Sequence, residues 1–256
     1  MIHRYVSQLV AAMLLVTFGA SAHAAGVNLR WNACAGDGGV SNRTSACNSN
    51  TGSQSLTASY VVGAAVTGIN SMDSRVVIAA ASATVPGWWQ FFQAGTCRPT
   101  AITENALIPA TAVACSDPFS GTAASGIATY TPGALGPSTT QFIAYAATTS
   151  ANAALAVGQE YFAFNLVVRT VSTTGAGSCS GCLVPVCILL QDISLYTGTG
   201  GVPPATVVLT APANGIDSNF ATWQGGLGAG PLPGGGCPAA TPTRNSTWGS
   251  VKSLYR

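Results

Sequence analysis

Eight cysteines, spread from Cys34 to Cys237, constrain this chain more than any other feature: Cys34, Cys47, Cys97, Cys115, Cys179, Cys182, Cys187 and Cys237. All follow what reads as an export leader. His3 and Arg4 make a short basic start, an apolar stretch runs from Leu9 to Phe18, and Ala22-His23-Ala24 is an A-x-A cleavage signal. An even number of cysteines in an exported chain reads as four disulfides, which staple loops that a modest core cannot hold alone. Spacing makes Cys34 with Cys47 and Cys97 with Cys115 the economical local pairs. Each closes a loop rich in Gly, Ser, Asn or Pro, worth about 3 kcal/mol in the loop-entropy model. Cys179, Cys182, Cys187 and Cys237 then pair among themselves, and Cys237 ties the C-terminal region to the body.

What lies between the cysteines is strand-like. Val27–Trp31 alternates apolar and polar residues, and Leu56–Val62 follows a Gly/Asn/Ser loop. Arg75–Ala80 is a β-branched apolar run; Gln141–Tyr145, Glu160–Val168, Cys187–Tyr196 and Thr206–Leu209 complete the set. Gly, Pro, Asn and Ser clusters separate these runs. The fold class is therefore all-β: a disulfide-stapled antiparallel β-sandwich, immunoglobulin-like or jelly-roll-like. Leu29, Val77, Phe142, Phe162, Phe164 and Ile188 are expected inside it. Only Ala151–Val157 looks briefly helical, before Gly158 stops it. The organisation is a leader over 1–24, a sandwich over 25–224, a Gly/Pro-rich linker over 225–242 and a C-terminal tail over 243–256. In the tail, Trp248, Val251 and Tyr255 share one helical face behind a Thr247 cap, a candidate docking segment.

The run Leu155-Ala-Val-Gly-Gln-Glu-Tyr-Phe-Ala-Phe-Asn-Leu-Val-Val168, followed after a loop by the strand through Ile193, resembles the late strands of cohesin-like and immunoglobulin-like secreted bacterial sandwiches. The resemblance covers less than a quarter of the chain and implies a sandwich. The cysteine-rich loop between the two strands departs from a simple cohesin module, so dockerin binding is not carried over.

Several chemistries are missing from the sequence. Both histidines, His3 and His23, lie in the expected leader, which leaves no imidazole for Ser-His-Asp or Cys-His catalysis or for His-ligated metals. Lys252 is the only lysine and sits in the tail. G-x-S-x-G, Walker A and G-x-G-x-x-G motifs are absent. Beyond the leader, eight basic residues face seven acidic ones, a balance that gives no electrostatic case for nucleic acid. No later segment has the unbroken apolar length of a transmembrane span.

Three residue groups remain as candidates. Cys179-Ser-Gly-Cys182 has C-x-x-C spacing, and with Cys187 and Cys237 it supplies four thiolates for zinc. In an exported all-β chain, structural disulfides are the preferred reading. Asp37, Asn42, Asn48 and Asn50 offer oxygen ligands, but without the D-x-[DN]-x-[DN]-G spacing of a calcium loop. No metal and no cofactor is therefore expected, and no catalytic residue is assigned. The third group is Val85-Pro-Gly-Trp-Trp-Gln-Phe-Phe-Gln, which packs four aromatics into five positions. An extended 88–92 places Trp88 and Phe92 on one face and Trp89 and Phe91 on the other; a helical turn groups Trp88, Phe91 and Phe92 and leaves Trp89 apart. Trp89, with Phe91, is the candidate ligand platform, set against a core plug at the end of the sandwich.

The leading expectation is a non-enzymatic exported protein of adhesion, assembly or surface structure, extracellular, cell-surface or periplasmic, with a protein or glycan partner at the cell envelope. The alternative is a carbohydrate-binding module using Trp89. A carboxylate-pair glycan hydrolase is the third class; Glu104, Glu160, Asp37, Asp73, Asp117, Asp192 and Asp217 show no pairing along the sequence.

Overall fold

The computed structural model describes residues 24–149, 153–197, 205–213 and 218–226. The expected leader and tail, with Trp248, Val251 and Tyr255, and nearly all of the linker lie outside these residues. Thirteen strands run through the described chain: β1 Gly26–Trp31, β2 Asn42–Arg43, β3 Ser53–Val61, β4 Val66–Ala80, β5 Ile102–Asn105, β6 Cys115–Ser116, β7 Ala124–Pro132, β8 Thr139–Ala147, β9 Ala153–Leu155, β10 Glu160–Arg169, β11 Val186–Thr197, β12 Val207–Leu209 and β13 Phe220–Trp223. The one helical element among the described residues is a 3-10 turn at Gly87–Trp89.

The strands form two sheets. The smaller has the order β1-β3-β10-β5, with β6 alongside β10; the larger has the order β2-β13-β11-β4-β8-β7, with β12 on β11 and β9 on β4. Pairing is antiparallel except at β6–β10 and β2–β13. One apolar layer fills the space between the sheets. Leu29, Leu56, Tyr60, Phe164 and Leu166 come from the smaller sheet, and Met72, Val76, Phe142, Ile188 and Ile193 from the larger. The fold is a β-sandwich, as alternating short strands between turn-forming clusters require.

The seven sequence-predicted strands are all present; β4 begins nine residues before the expected Arg75, β8 extends two residues at each end, and β12 starts one residue late. Ala151–Val157 differs: Ala153–Leu155 is a strand, with Leu155 buried opposite Val66. A helix that short has little stability of its own, and an open stretch of β4 offers it backbone partners. All six residues expected inside are buried, but not in one place. Phe162 lies under the loops outside the smaller sheet, with Cys34 and Cys115. Val77 lies on the outer side of the larger sheet, with Ala79, Cys187, Leu189 and Phe220. The reason is visible in β10, where a bulge between Phe162 and Phe164 turns two residues of the same parity to opposite faces.

Candidate functional site

Trp88, Trp89 and Phe91 are core, and Phe92 is not. Pro86 leads into the 3-10 turn, Gln90 is extended, and Phe92 takes a left-handed φ of 57°. Neither simple periodicity survives this change of backbone, so neither expected grouping is observed. Trp88, Trp89 and Phe91 are 0% exposed and Phe92 is 43% exposed. Trp89 and Phe91 therefore present no ring face to a ligand, which removes them as a platform. Instead Trp88 stacks on Trp223 at 5.3 Å, Trp89 meets Trp223 edge-on at 5.7 Å, and Trp31 adds a third contact to Trp223 at 5.8 Å. The buried Arg98 lays its guanidinium over Trp88, 3.6 Å from the ring centroid, and donates to the carbonyls of Trp88 and Arg169. Desolvation lowers its proton affinity, and the ring quadrupole stands where a carboxylate would otherwise be needed.

The cysteines pair over long distances. Cys34 joins Cys115, Cys47 joins Cys182, and Cys97 joins Cys179. Cys187 is disulfide-bonded too, and no described cysteine is free; Cys237 lies outside the described residues. The expected local pairs, Cys34 with Cys47 and Cys97 with Cys115, are thus overturned, as is the pairing of Cys179, Cys182, Cys187 and Cys237 only among themselves. Loop entropy ranks closures in an unfolded chain, whereas the sandwich topology decides which loops meet. With Cys179 and Cys182 bonded to different partners, the C-x-x-C spacing carries neither a redox dithiol nor a thiolate zinc site. Cys34, Asp37 and Cys115 lie close together, but both sulfurs are spent on the disulfide. The oxygen ligands weighed for calcium also diverge. Asp37 accepts from the N–H groups of Val113 and Ala114, Asn50 from Thr173 and Thr174, and Asn42 from Gly225.

Two further carboxylates hold architecture together. Glu160 accepts from the N–H groups of Ala35 and Gly36, from the Asn28 amide and from the Ser59 hydroxyl, fixing the Cys34 loop against the outer side of the smaller sheet. Asp117 caps its own turn by accepting from Phe119 and Gly121. Glu104 sits on β5 opposite Leu166, where burial pushes its carboxyl up to about 8, offset in part by the Ser125 hydroxyl.

The outer side of the larger sheet is different, because it carries an open cleft edged by polar residues. Ser194, Asp73, Tyr145 and Gly126 stand in one row across β11, β4, β8 and β7. Neighbouring rows hold Asp192 with Arg75, and Tyr196 with Ser71 and Ala147. Arg75 pairs with Asp192 at 3.0 Å, and the Tyr196 hydroxyl donates to Asp73 at 3.2 Å. Burial raises the pKa of Asp192; Arg75 opposes this and Asp73 reinforces it. Burial and the Asp73 charge likewise push the Tyr196 phenol up. Ser71, Asp73, Ala128, Tyr145 and Ala147 line a cavity of about 270 Å³.

Family models, curated proteins and solved structures contain no match to this chain.

The cleft brings together a partly exposed aromatic ring, a carboxylate oriented by a phenol and, in the neighbouring row, an ion pair, all on paired strands. The association of Asp73 with Asp192 is absent from the sequence reading. A bulge in β11 between Leu190 and Asp192 turns Asp192 outward, whereas strict alternation with the inward Ile188 and Leu190 would send it into the core. The polar half of β4, Val66–Ser74, carries too little apolar signal to be recognised as part of a long central strand.

Proposed function

We propose that this chain is a non-catalytic, exported β-sandwich that works by binding at a cell envelope, in adhesion, surface structure or assembly. The observation that carries this reading is the disulfide framework. Its three described bridges close spans of 81, 135 and 82 residues. Such bridges need an oxidising destination, and they secure a fold against unfolding and proteolysis. No helix among the described residues is long and apolar enough to cross a membrane. The carboxylates Glu160, Asp37 and Asp117 are engaged in holding loops. In the cleft, Arg75 holds Asp192 and the Tyr196 phenol holds Asp73, so neither carboxylate stands as a lone acid or base.

The test is to express the full chain with a C-terminal tag, fractionate the cells, and alkylate the protein before reduction. The expected result is export, no alkyl uptake, and loss of surface attachment or assembly when the gene is deleted. A cytoplasmic protein with free thiols, or turnover of a glycan by the purified protein, overturns the reading. A glycan partner remains consistent with the structure, but its contact residues move from Trp89 to the Tyr145 cleft.

A further inference from the structure

The geometry points to the cleft around Tyr145 as a saccharide-binding site for an uncharged pyranoside, an inference that rests on the binding function proposed above. It begins with the ring. Tyr145 is 37% exposed on a strand whose inward neighbours, Phe142, Ala144 and Ala146, are core. Its phenol lies against Gly126 on the neighbouring strand. A Cβ at that glycine would meet the Tyr145 hydroxyl at 3.1 Å and ring carbons at 3.2 and 3.3 Å. The missing side chain thus lets the ring lie over β7. The other residues around the ring are also short: Ala128, Ala147 and Ser71 line the same cavity. A flat aromatic surface is left open, bordered by small groups, in a space just below the usual size range of ligand pockets.

The polar groups stand at the edge of this surface. Asp73 faces Tyr145 directly across β4 and β8. The Tyr196 phenol holds its Oδ2 at 3.2 Å, which orients the carboxylate before any ligand arrives. An oriented carboxylate beside an aromatic face matches the two sides of a pyranose. The C–H-rich face of the sugar is weakly positive and settles on the negative π face, while the ring hydroxyls at its rim donate to the carboxylate. Arg75 is occupied by Asp192 at 3.0 Å, so the cleft keeps the unbalanced charge of Asp73. That charge disfavours uronates and other acidic sugars and selects an uncharged ring. On the outer side of the smaller sheet, by contrast, the loops joined by Cys34–Cys115 cover Phe162.

The experiment uses the oxidised, exported protein. Methyl glucoside, methyl galactoside, methyl mannoside and their oligosaccharides are titrated by calorimetry and by nuclear magnetic resonance, with methyl glucuronide as the charged control. The expected result is saturable binding of at least one neutral glycoside and none of the glucuronide. Tyr145→Ala weakens binding about tenfold or more at unchanged melting temperature, Tyr145→Phe retains it, and Asp73→Asn weakens it. Gly126→Val gives an independent check: it displaces the ring while leaving Tyr145 in place, so binding falls. Absence of binding across the panel overturns the site, as does binding that survives Tyr145→Ala. If the panel is blank while surface attachment still depends on the protein, the site alone fails and the binding function stands. If attachment is also independent of the protein, both fail.

Discussion

Buried ionisable groups at single positions show how this chain spends stability. Glu104 has a folded pKa of about 8 against an ordinary 4.5, with burial as the main cause. Between those values the folded state keeps a proton that the unfolded chain releases. Stability therefore falls as pH rises through that window, and is flat above it. Glu104→Gln removes the titration. Its melting temperature is expected to match the parent near pH 4, to exceed it increasingly up to about pH 8 and to hold that offset above; an offset that does not change with pH would show that Glu104 titrates alike in the folded and unfolded chain. Arg98 is the contrasting case. It is buried without a carboxylate among the described residues, but its guanidinium stacks on Trp88 and donates to two carbonyls. Planarity and the forked donor set both matter there, and lysine supplies neither.

At the scale of elements, the bulges decide which residues meet. In β11 the irregularity between Leu190 and Asp192 keeps Ile188 and Leu190 inward on one side of it and Ile193 and Leu195 inward on the other. Deleting Gln191 removes the extra residue. Regular alternation then runs Leu190 inward, Asp192 outward and Ile193 inward, so each residue keeps its face while the local kink is lost. The deletion is therefore expected to keep the near-ultraviolet dichroism of the tryptophan cluster close to parental. Gln191→Ala, which keeps the residue count, should change little beyond its hydrogen bond with Gln141. A deletion variant that lost this dichroism would mean that Gln191 is not simply an extra residue between two regular halves of the strand.

Across the whole molecule, the bridges link loops that the two-sheet topology brings together. The Cys47–Cys182 bridge closes a span of 135 residues. Replacing both cysteines by serine is expected to cost about 5 kcal/mol in the loop-entropy model, more than a local pair would contribute. Denaturant unfolding measures that loss. Peptide mapping of unreduced protein should recover Cys34 with Cys115, Cys47 with Cys182 and Cys97 with Cys179. A peptide joining Cys34 to Cys47 would contradict the architecture.

The strand content, the sandwich class and the burial of residues such as Leu29, Phe142, Phe164 and Ile188 were all legible in the sequence, because alternation and turn-forming residues act over a few positions. Strands with weak local signals were not: β7 is built mainly of small and polar residues, and β13 has four residues. Tertiary structure alone decided the rest. Trp88 and Trp89 became core because Trp31 and Trp223, distant in sequence, arrive beside them. The disulfide partners followed from sheet order and not from the shortest loop. The Tyr145 cleft exists because four strands bring Ser194, Asp73, Tyr145 and Gly126 into register. Local pattern sets how each residue prefers to sit; which distant residues become neighbours depends on strand order and on single-residue bulges, each of which reverses the faces beyond it.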